Sequence, residues 1–370
     1  MEELKRTPLY NKHVSMDAKM IPFGGWNMPV QYKEGILAEH RHARKAVSLF
    51  DTCHMGEFII KGKNAALELD KIFPRAVADQ KVGSARYNFL LSDKGTVMDD
   101  LLIYRMNEEE FMLVVNSGTI DSDAARLRSL LPNTITFINE SDKTGKLDLQ
   151  GPKTVEIMEK ISFKKSDLPG CYKWIRTTLR GIPLILSRTG YTGELGFEFY
   201  VATEKVGELW DYLLSFPEVK PAGLGARDTL RLEVGYPLYG HEMDENTTPV
   251  EAGFSSILNL ENRTSGFMCE KILKDPTKKT KNLIGIVLEG RRAARTGNKV
   301  LTIDGKEVGI VTSGMFSPIL EKAIALAFVH SQYTFTPGDK INLEIGGKPF
   351  PGEVVEMPFY KSGTVRMKII

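Results

Sequence analysis

The chain has 370 residues, 42% of them hydrophobic and 26% charged, with 49 basic against 47 acidic side chains and a net charge of +2. That length holds about two to three domains, and the balanced charge excludes a dedicated nucleic-acid binder, which needs a basic excess or stripe. No apolar run reaches membrane-spanning length, and Cys53, Cys171 and Cys269 are too few and too scattered for a disulfide framework or a zinc ribbon. Neither a membrane nor a metal is therefore expected. The start, Met-Glu-Glu-Leu-Lys-Arg, has no apolar signal core, so a cytoplasmic protein is the expectation.

In chain order, the first distinctive stretch is 19–32, Lys-Met-Ile-Pro-Phe-Gly-Gly-Trp-Asn-Met-Pro-Val-Gln-Tyr. Its Gly and Pro punctuation predicts an irregular aromatic loop over a core edge or a pocket wall. A helix follows over 34–46, with Ile36, Leu37, His40 and Ala43 near one face. Residues 57–60 read as a strand entered by the loop Cys53-His54-Met55-Gly56. Cys53 beside His54 invites a nucleophile-and-base reading, but sequence neighbours seldom reach that geometry and no third orienting group is apparent. A short helix is expected over 64–72.

Segments 85–91 and 95–104 read as a hairpin. Tyr87, Phe89 and Leu91 alternate with Arg86 and Asn88, and Ser-Asp-Lys-Gly at 92–95 supplies a turn whose last residue tolerates positive φ. The returning strand carries two adjacent carboxylates, Asp99 and Asp100, on opposite faces. Asp100 shares its side with Met98, Leu102 and Tyr104. Asp is depleted in strands, and burying an unpaired carboxylate costs several kcal/mol, roughly, so two acids in so apolar a run need a reason. Another strand over 111–116 ends in Asn116, placed to read a ligand's amide edge or to make a plain turn. A helix over 121–131 follows, then a strand at 146–151 and a helix at 154–161. This order indicates α+β units rather than a continuous doubly wound sheet.

Segment 184–200 looks like two strands joined by a turn rich in glycine, at 190, 193 and 196. It lacks a phosphate-loop pattern. Glu198 lies between Phe197 and Phe199, a second carboxylate in an aromatic strand; the alternative to function is an edge strand facing water. A helix over 226–234 puts Arg227 in its first turn, against the helix dipole. That calls for an anionic partner in the protein or on a ligand, unless Arg227 simply pairs with Asp228 or Glu233. The latter half of 271–282 reads as a charged linker. Beyond it, short strands at 283–288, 299–302, 306–312, 324–329, 340–345 and 348–356 predict a small closed or Greek-key β-barrel.

Taken together and in order, Lys-Arg-Thr-Pro-Leu, Gly-Trp-Asn-Met-Pro-Val, Phe-Asp-Thr-Cys-His-Met-Gly-Glu-Phe, Asp-Asp-Leu-Leu-Ile-Tyr, Gln-Gly-Pro, Ser-Arg-Thr-Gly-Tyr-Thr-Gly-Glu, Gly-Leu-Gly-Ala-Arg-Asp-Thr-Leu-Arg-Leu-Glu and Thr-Ser-Gly-Met-Phe-Ser-Pro resemble the T-protein family of the glycine cleavage system. The resemblance runs from Thr7 to about Val365. It implies an α+β, three-lobed fold: two intertwined lobes over 1–275 that bind folate, and a β-barrel over 283–366. It implies an aminomethyltransferase that moves a one-carbon unit from the aminomethyl-dihydrolipoyl arm of H-protein to tetrahydrofolate. The products would be 5,10-methylenetetrahydrofolate, ammonia and the reduced carrier.

By the same resemblance Asp100 is the central catalytic carboxylate, and Glu198 accepts paired donors from the pterin edge. Met55, Tyr87, Asn116, Tyr191, Arg227 and Tyr236 line the folate, with Arg366 a further position near the C-terminus. The implied partners are H-protein and tetrahydrofolate, with no nucleic acid or membrane, and a monomer or weak dimer. Cys53 departs from the family's usual Ser and Leu195 from its frequent acid. A tetrahydrofolate-dependent demethylase acting on a small methylated donor is the alternative on the same fold. A folate-binding accessory protein is disfavoured, because its Lys-Gly-Cys-aromatic-x-Gly-Gln-Glu stretch is missing.

Overall fold

The computed structural model describes residues 3–263 and 265–369. A short strand β1 (Lys5–Arg6) and helix α1 (Tyr10–Ser15) lead into β2 (Lys19–Phe23) and β3 (Trp26–Gln31), which form a small sheet ordered β1-β3-β2. The expected irregular loop at 19–32 is therefore a hairpin. Gly24 and Gly25, at φ +53° and +83°, make the two-residue turn that matches strand twist. Two prolines survive there because Pro22 sits on an edge strand and Pro29 lies where the register slips between Lys19 and Met20.

Helix α2 (Ile36–Lys45) precedes β4 (Val47–Asp51) and β5 (Gly56–Lys61), and these consecutive strands enter different sheets. Helix α3 (Ala65–Ile72) and the meander β6 (Ala85–Leu91), β7 (Val97–Arg105) and β8 (Glu110–Val115) follow, then α4 (Ile120–Leu130) and β9 (Thr136–Asn139). The resulting sheet is ordered β6-β7-β8-β5-β9. Phe58 and Ile60 of β5, Leu101 and Ile103 of β7 and Leu113 of β8 pack on α3 and α4. The hairpin forms as its sequence requires, with Gly95 at φ +75° in the turn and a bulge that leaves Met98 unpaired.

The larger sheet is built from β10 (Thr144–Gln150), β11 (Trp174–Leu179), β12 (Ile182–Ser187), β13 (Gly196–Ala202) and β14 (Val219–Pro221), with helices α5 (Thr154–Lys160), α6 (Thr203–Leu214) and α7 (Leu224–Glu233) between and after them. Its order is β11-β12-β13-β10-β4-β14. Alternation divides each central strand. Leu147 and Leu149 of β10 and Phe197, Phe199 and Val201 of β13 enter the core with α5 and α6. Lys146, Asp148 and Glu198 therefore face the other way, toward the first sheet and α7. Glu198 is no edge residue, because β13 pairs on both sides.

Two short helices, α8 (Ser255–Leu258) and α9 (Glu270–Lys274), lie in the connection to the barrel. The strands β15 (Lys281–Leu288), β16 (Lys299–Leu301), β17 (Glu307–Ser317), β18 (Lys322–His330), β19 (Lys340–Ile345) and β20 (Lys348–Val355) close as β15-β18-β17-β16-β19-β20. Buried Arg231 of α7 ties the barrel down, donating to Glu242 at 3.0 Å and to Ser313 Oγ at 2.8 Å. After β20 the chain runs back over the first part of the molecule, where Val365 N–H donates to the Gly193 carbonyl.

Candidate active site

The two sheets face one another across a cluster of Met55, Ile59, Leu102, Tyr104, Met112, Val114 and Tyr200. Asp100 opens onto this space from β7, partly buried, and its partners come from both neighbouring strands. Tyr87 OH donates to Oδ2 at 2.9 Å, and Asn116 Nδ2 to Oδ1 at 3.0 Å. Burial, with the charge of Asp99 next to it, raises the Asp100 carboxyl to about 7. Asn116 Nδ2 also donates to Asp99 Oδ1 at 2.7 Å, so this amide spans both acids. All its contacts are acceptors, which fixes the orientation of the amide.

Across the gap stands a buried network of alternating charge. Asp148 and Glu198 are direct cross-strand neighbours, an arrangement that like charges disfavour. Lys146 resolves it by reaching Asp148 Oδ1 at 3.0 Å and Glu198 Oε1 at 2.8 Å. Arg227 Nη1 binds Asp148 Oδ2 at 2.5 Å. Burial alone would raise Asp148, but Lys146 and Arg227 hold it down at about 2. Glu198 Oε2 accepts from Thr189 at 2.6 Å, Tyr200 at 2.8 Å and Tyr104 at 3.2 Å. What Glu198 can still offer a ligand is thus the outer lone pair of Oε1.

Arg227 pairs with neither Asp228, which goes to Arg231, nor Glu233, which goes to Arg44 and His40. Its guanidinium lies 5.2 Å from the Tyr191 ring centre, and Tyr191 lies 5.9 Å from Tyr236. The charge of Arg366, on the returning C-terminal segment, reaches Tyr236. The structure thereby connects Tyr87, Asp100 and Asn116 into one cluster and Tyr191, Glu198, Arg227, Tyr236 and Arg366 into a second, with Met55 between the sheets.

The Cys53–His54 pair has no nucleophile geometry. Cys53 donates to the Lys146 carbonyl, and burial with the nearby Asp51 charge pushes its thiol well up. Burial pushes His54 down to about 4. Glu57, also buried on the inter-sheet face, has no hydrogen-bond partner for either oxygen, and burial raises it well above the usual range. Among the described residues no group of His, Cys, Asp and Glu is arranged to hold a metal.

Sequence reading missed Lys146, Asp148, Tyr104, Thr189, Tyr200, Glu57 and Asp123. The first two carried a signal: in Lys-Leu-Asp-Leu-Gln the charged positions share one face of a strand whose other face is pure leucine.

Comparison with known proteins agrees with this architecture. Residues 9–262 match the model of the GCVT N-terminal domain, and residues 281–361 that of the glycine cleavage T-protein C-terminal barrel domain. An aminomethyltransferase of Symbiobacterium thermophilum is 42% identical over 98% of both chains, and one of Halothermothrix orenii is 38% identical over 96% of this chain and all of its own. The crystal structure of the glycine cleavage system aminomethyltransferase T from Bartonella henselae superposes with a TM-score of 0.91 at 30% identity, covering 98% of this chain and 99% of that one. The chain belongs to the glycine cleavage T-protein family. Its activity is accordingly that of an aminomethyltransferase, a transferase of the glycine cleavage system.

Proposed function

We propose that the one-carbon acceptor is tetrahydrofolate, that the donor is the aminomethyl-dihydrolipoyl arm of H-protein, and that Asp100 is the reacting carboxylate. The setting of Asp100 carries the reading: a carboxyl raised to about 7, held from two sides, on the open face of an apolar strand. Such a group takes a proton from an acceptor nitrogen near neutrality and, once charged, stabilises positive charge on the carbon in transit. The carbon leaves sulfur for folate nitrogen, giving 5,10-methylenetetrahydrofolate, ammonia and the free dihydrolipoyl thiol.

Tyr87 and Asn116 orient the carboxylate. Met55, Tyr191 and Tyr236 supply apolar walls, and Glu198 accepts from the pterin edge. Arg227 already has Asp148, so its remaining donors position the ligand rather than add net charge. Arg366 forms no ion pair among the described residues and suits a folate carboxylate. In this reading the transfer site belongs to residues 1–275, the barrel of 283–366 closes it, and the protein works in the cytoplasm as a monomer or weak dimer.

The test is single-turnover formation of 5,10-methylenetetrahydrofolate from tetrahydrofolate and aminomethyl-loaded H-protein, with free methylated amines and sulfonium compounds run in parallel. Product from the loaded carrier alone is expected. Product or methyltetrahydrofolate from a small donor alone would overturn the proposal in favour of a demethylase.

A further inference from the structure

Behind Asp100, on the other face of β7, lies an acid pair that the proposed transfer does not use. Asp99 and Asp123 of α4 are both completely buried. Asp99 accepts the Asn116 N–H at 3.0 Å on Oδ2 and Asn116 Nδ2 at 2.7 Å on Oδ1. Asp123 receives no N–H donor, and neither of its oxygens has a partner in bonding geometry: Thr119, near enough to lower its carboxyl, gives its Oγ1 proton to the Asn116 carbonyl. What Asp123 faces is the Asp99 carboxyl. Two buried carboxylates in contact repel strongly; the contact becomes a hydrogen bond when one of them keeps a proton. Burial raises both carboxyls, Asp99 well above the usual range and Asp123 to about 7, so one proton stays between them near neutrality. The two N–H donors that only Asp99 receives place the charge there and make Asp123 the acid that donates to it.

We infer that Asp123 and Asp99 hold one shared proton and act, through the Asn116 amide, as a positioning unit that fixes a negative charge behind Asp100. This rests on the reading of Asp100 as the reacting carboxylate. The amide of Asn116 bonds Asp99 and Asp100 at once, so the charge on Asp99 is locked at a short, constant distance from the group that must take a proton. Its effect is to make Asp100 a stronger base than an isolated strand carboxylate. The other titratable groups facing the cluster are Tyr87 from β6, Tyr191 from the β12–β13 connection, and Tyr239, whose hydroxyl feels Asp99, Asp123, Asp244 and Glu245. None of the three aspartates forms an ion pair among the described residues, so no cation offsets the shared charge.

The two members predict opposite outcomes. Asp99→Asn removes the charge, so the ascending limb of the single-turnover pH profile should move to lower pH by about one unit, with a lower plateau rate. Asp123→Asn replaces an O–H donor by an N–H donor and leaves Asp99 charged, so its limb should stay within a few tenths of a unit of wild type. An unmoved limb in Asp99→Asn, with folded protein, overturns the inference. Asp100→Asn run alongside separates the two claims: if it keeps wild-type turnover, the role of Asp100 falls first. Should the Asp99 variant fail to fold, infrared spectra of the wild-type protein decide. Glu57 is raised as well, so the spectra are read as a difference. A protonated carboxyl component at neutral pH that Asp123→Asn loses and Glu57→Gln keeps supports the shared proton, and identical carboxyl bands in wild type and Asp123→Asn refute it.

Discussion

Asp100, partly buried, and Asp148, fully buried, are both carboxylates on central strands, yet their environments drive them in opposite directions. Burial and the neighbouring Asp99 charge raise Asp100 to about 7, whereas Lys146 and Arg227 hold Asp148 at about 2. The first is suited to proton transfer and the second to permanent charge. Asp100→Asn should retain tetrahydrofolate binding by calorimetry while lowering single-turnover transfer by roughly 10²–10⁴-fold, the usual worth of a general acid–base group. Asp148→Asn should instead cost stability. The folded value of Asp148 lies below its unfolded value of about 4, so its contribution is full above about pH 4 and is lost as pH falls toward about 2. Unfolding free energies from urea melts of wild type and variant should differ by roughly 3–5 kcal/mol near neutrality, the usual cost of removing one partner of a buried ion pair, and converge in acid. Asp100 was legible because an acid in an apolar run is conspicuous. Lys146 and Asp148 were not, because their meaning depends on the strand opposite.

At the level of elements, alternation does most of the sorting. It put Asp99 and Asp100 on opposite faces from sequence alone, and β7 bears this out: one acid points to α4 and the other to the space between the sheets. Alternation failed at 19–32, where prolines and paired glycines hid a hairpin whose turn they in fact build. The β12–β13 connection shows the other use of glycine. A Cβ on Gly196 would lie 2.4 Å from Gln150 Cδ, and one on Gly190 2.2 Å from Gln150 Oε1. Gln150 in turn donates to the Thr189 carbonyl at 3.0 Å, so it fastens the loop that carries Tyr191. Gly196→Ala should therefore destabilise the protein by about 1–3 kcal/mol, the usual cost of overpacking, and weaken folate binding more than it slows transfer. Denaturant melts and a KM-against-kcat comparison would show both effects.

On the scale of the molecule, the C-terminal return joins parts that sequence leaves far apart. Thr364 Oγ1 donates to Glu194 Oε2 at 2.5 Å and accepts the Leu195 N–H at 2.9 Å, and Arg44 lies over the Tyr360 ring. These contacts hold the 188–195 loop from behind and bring Arg366 to Tyr236. Thr364→Ala should raise amide exchange across 190–195 while leaving the barrel strands as protected as in wild type; unchanged exchange in the loop would show that the return segment does not restrain it. Loss of the Arg231 fork should have a larger effect, since Glu242 and Ser313 would both lose a buried partner.

The sequence by itself determined the α+β composition, the hairpin that carries Asp100, the six-strand barrel pattern and, through ordered local motifs, the family resemblance. Each of these is a local property, written in periodicity, turn residues and short runs of side chains. Only the tertiary structure decided that Arg227 belongs to Asp148, that Lys146 separates two facing acids, and that Asp123 of α4 meets Asp99 on the helix side of the sheet. Those facts depend on which strands become neighbours and on how much water they exclude. A carboxylate, an ammonium and a guanidinium look alike along the chain whether solvated or buried, and their charges acquire a role when packing sets the distances between them.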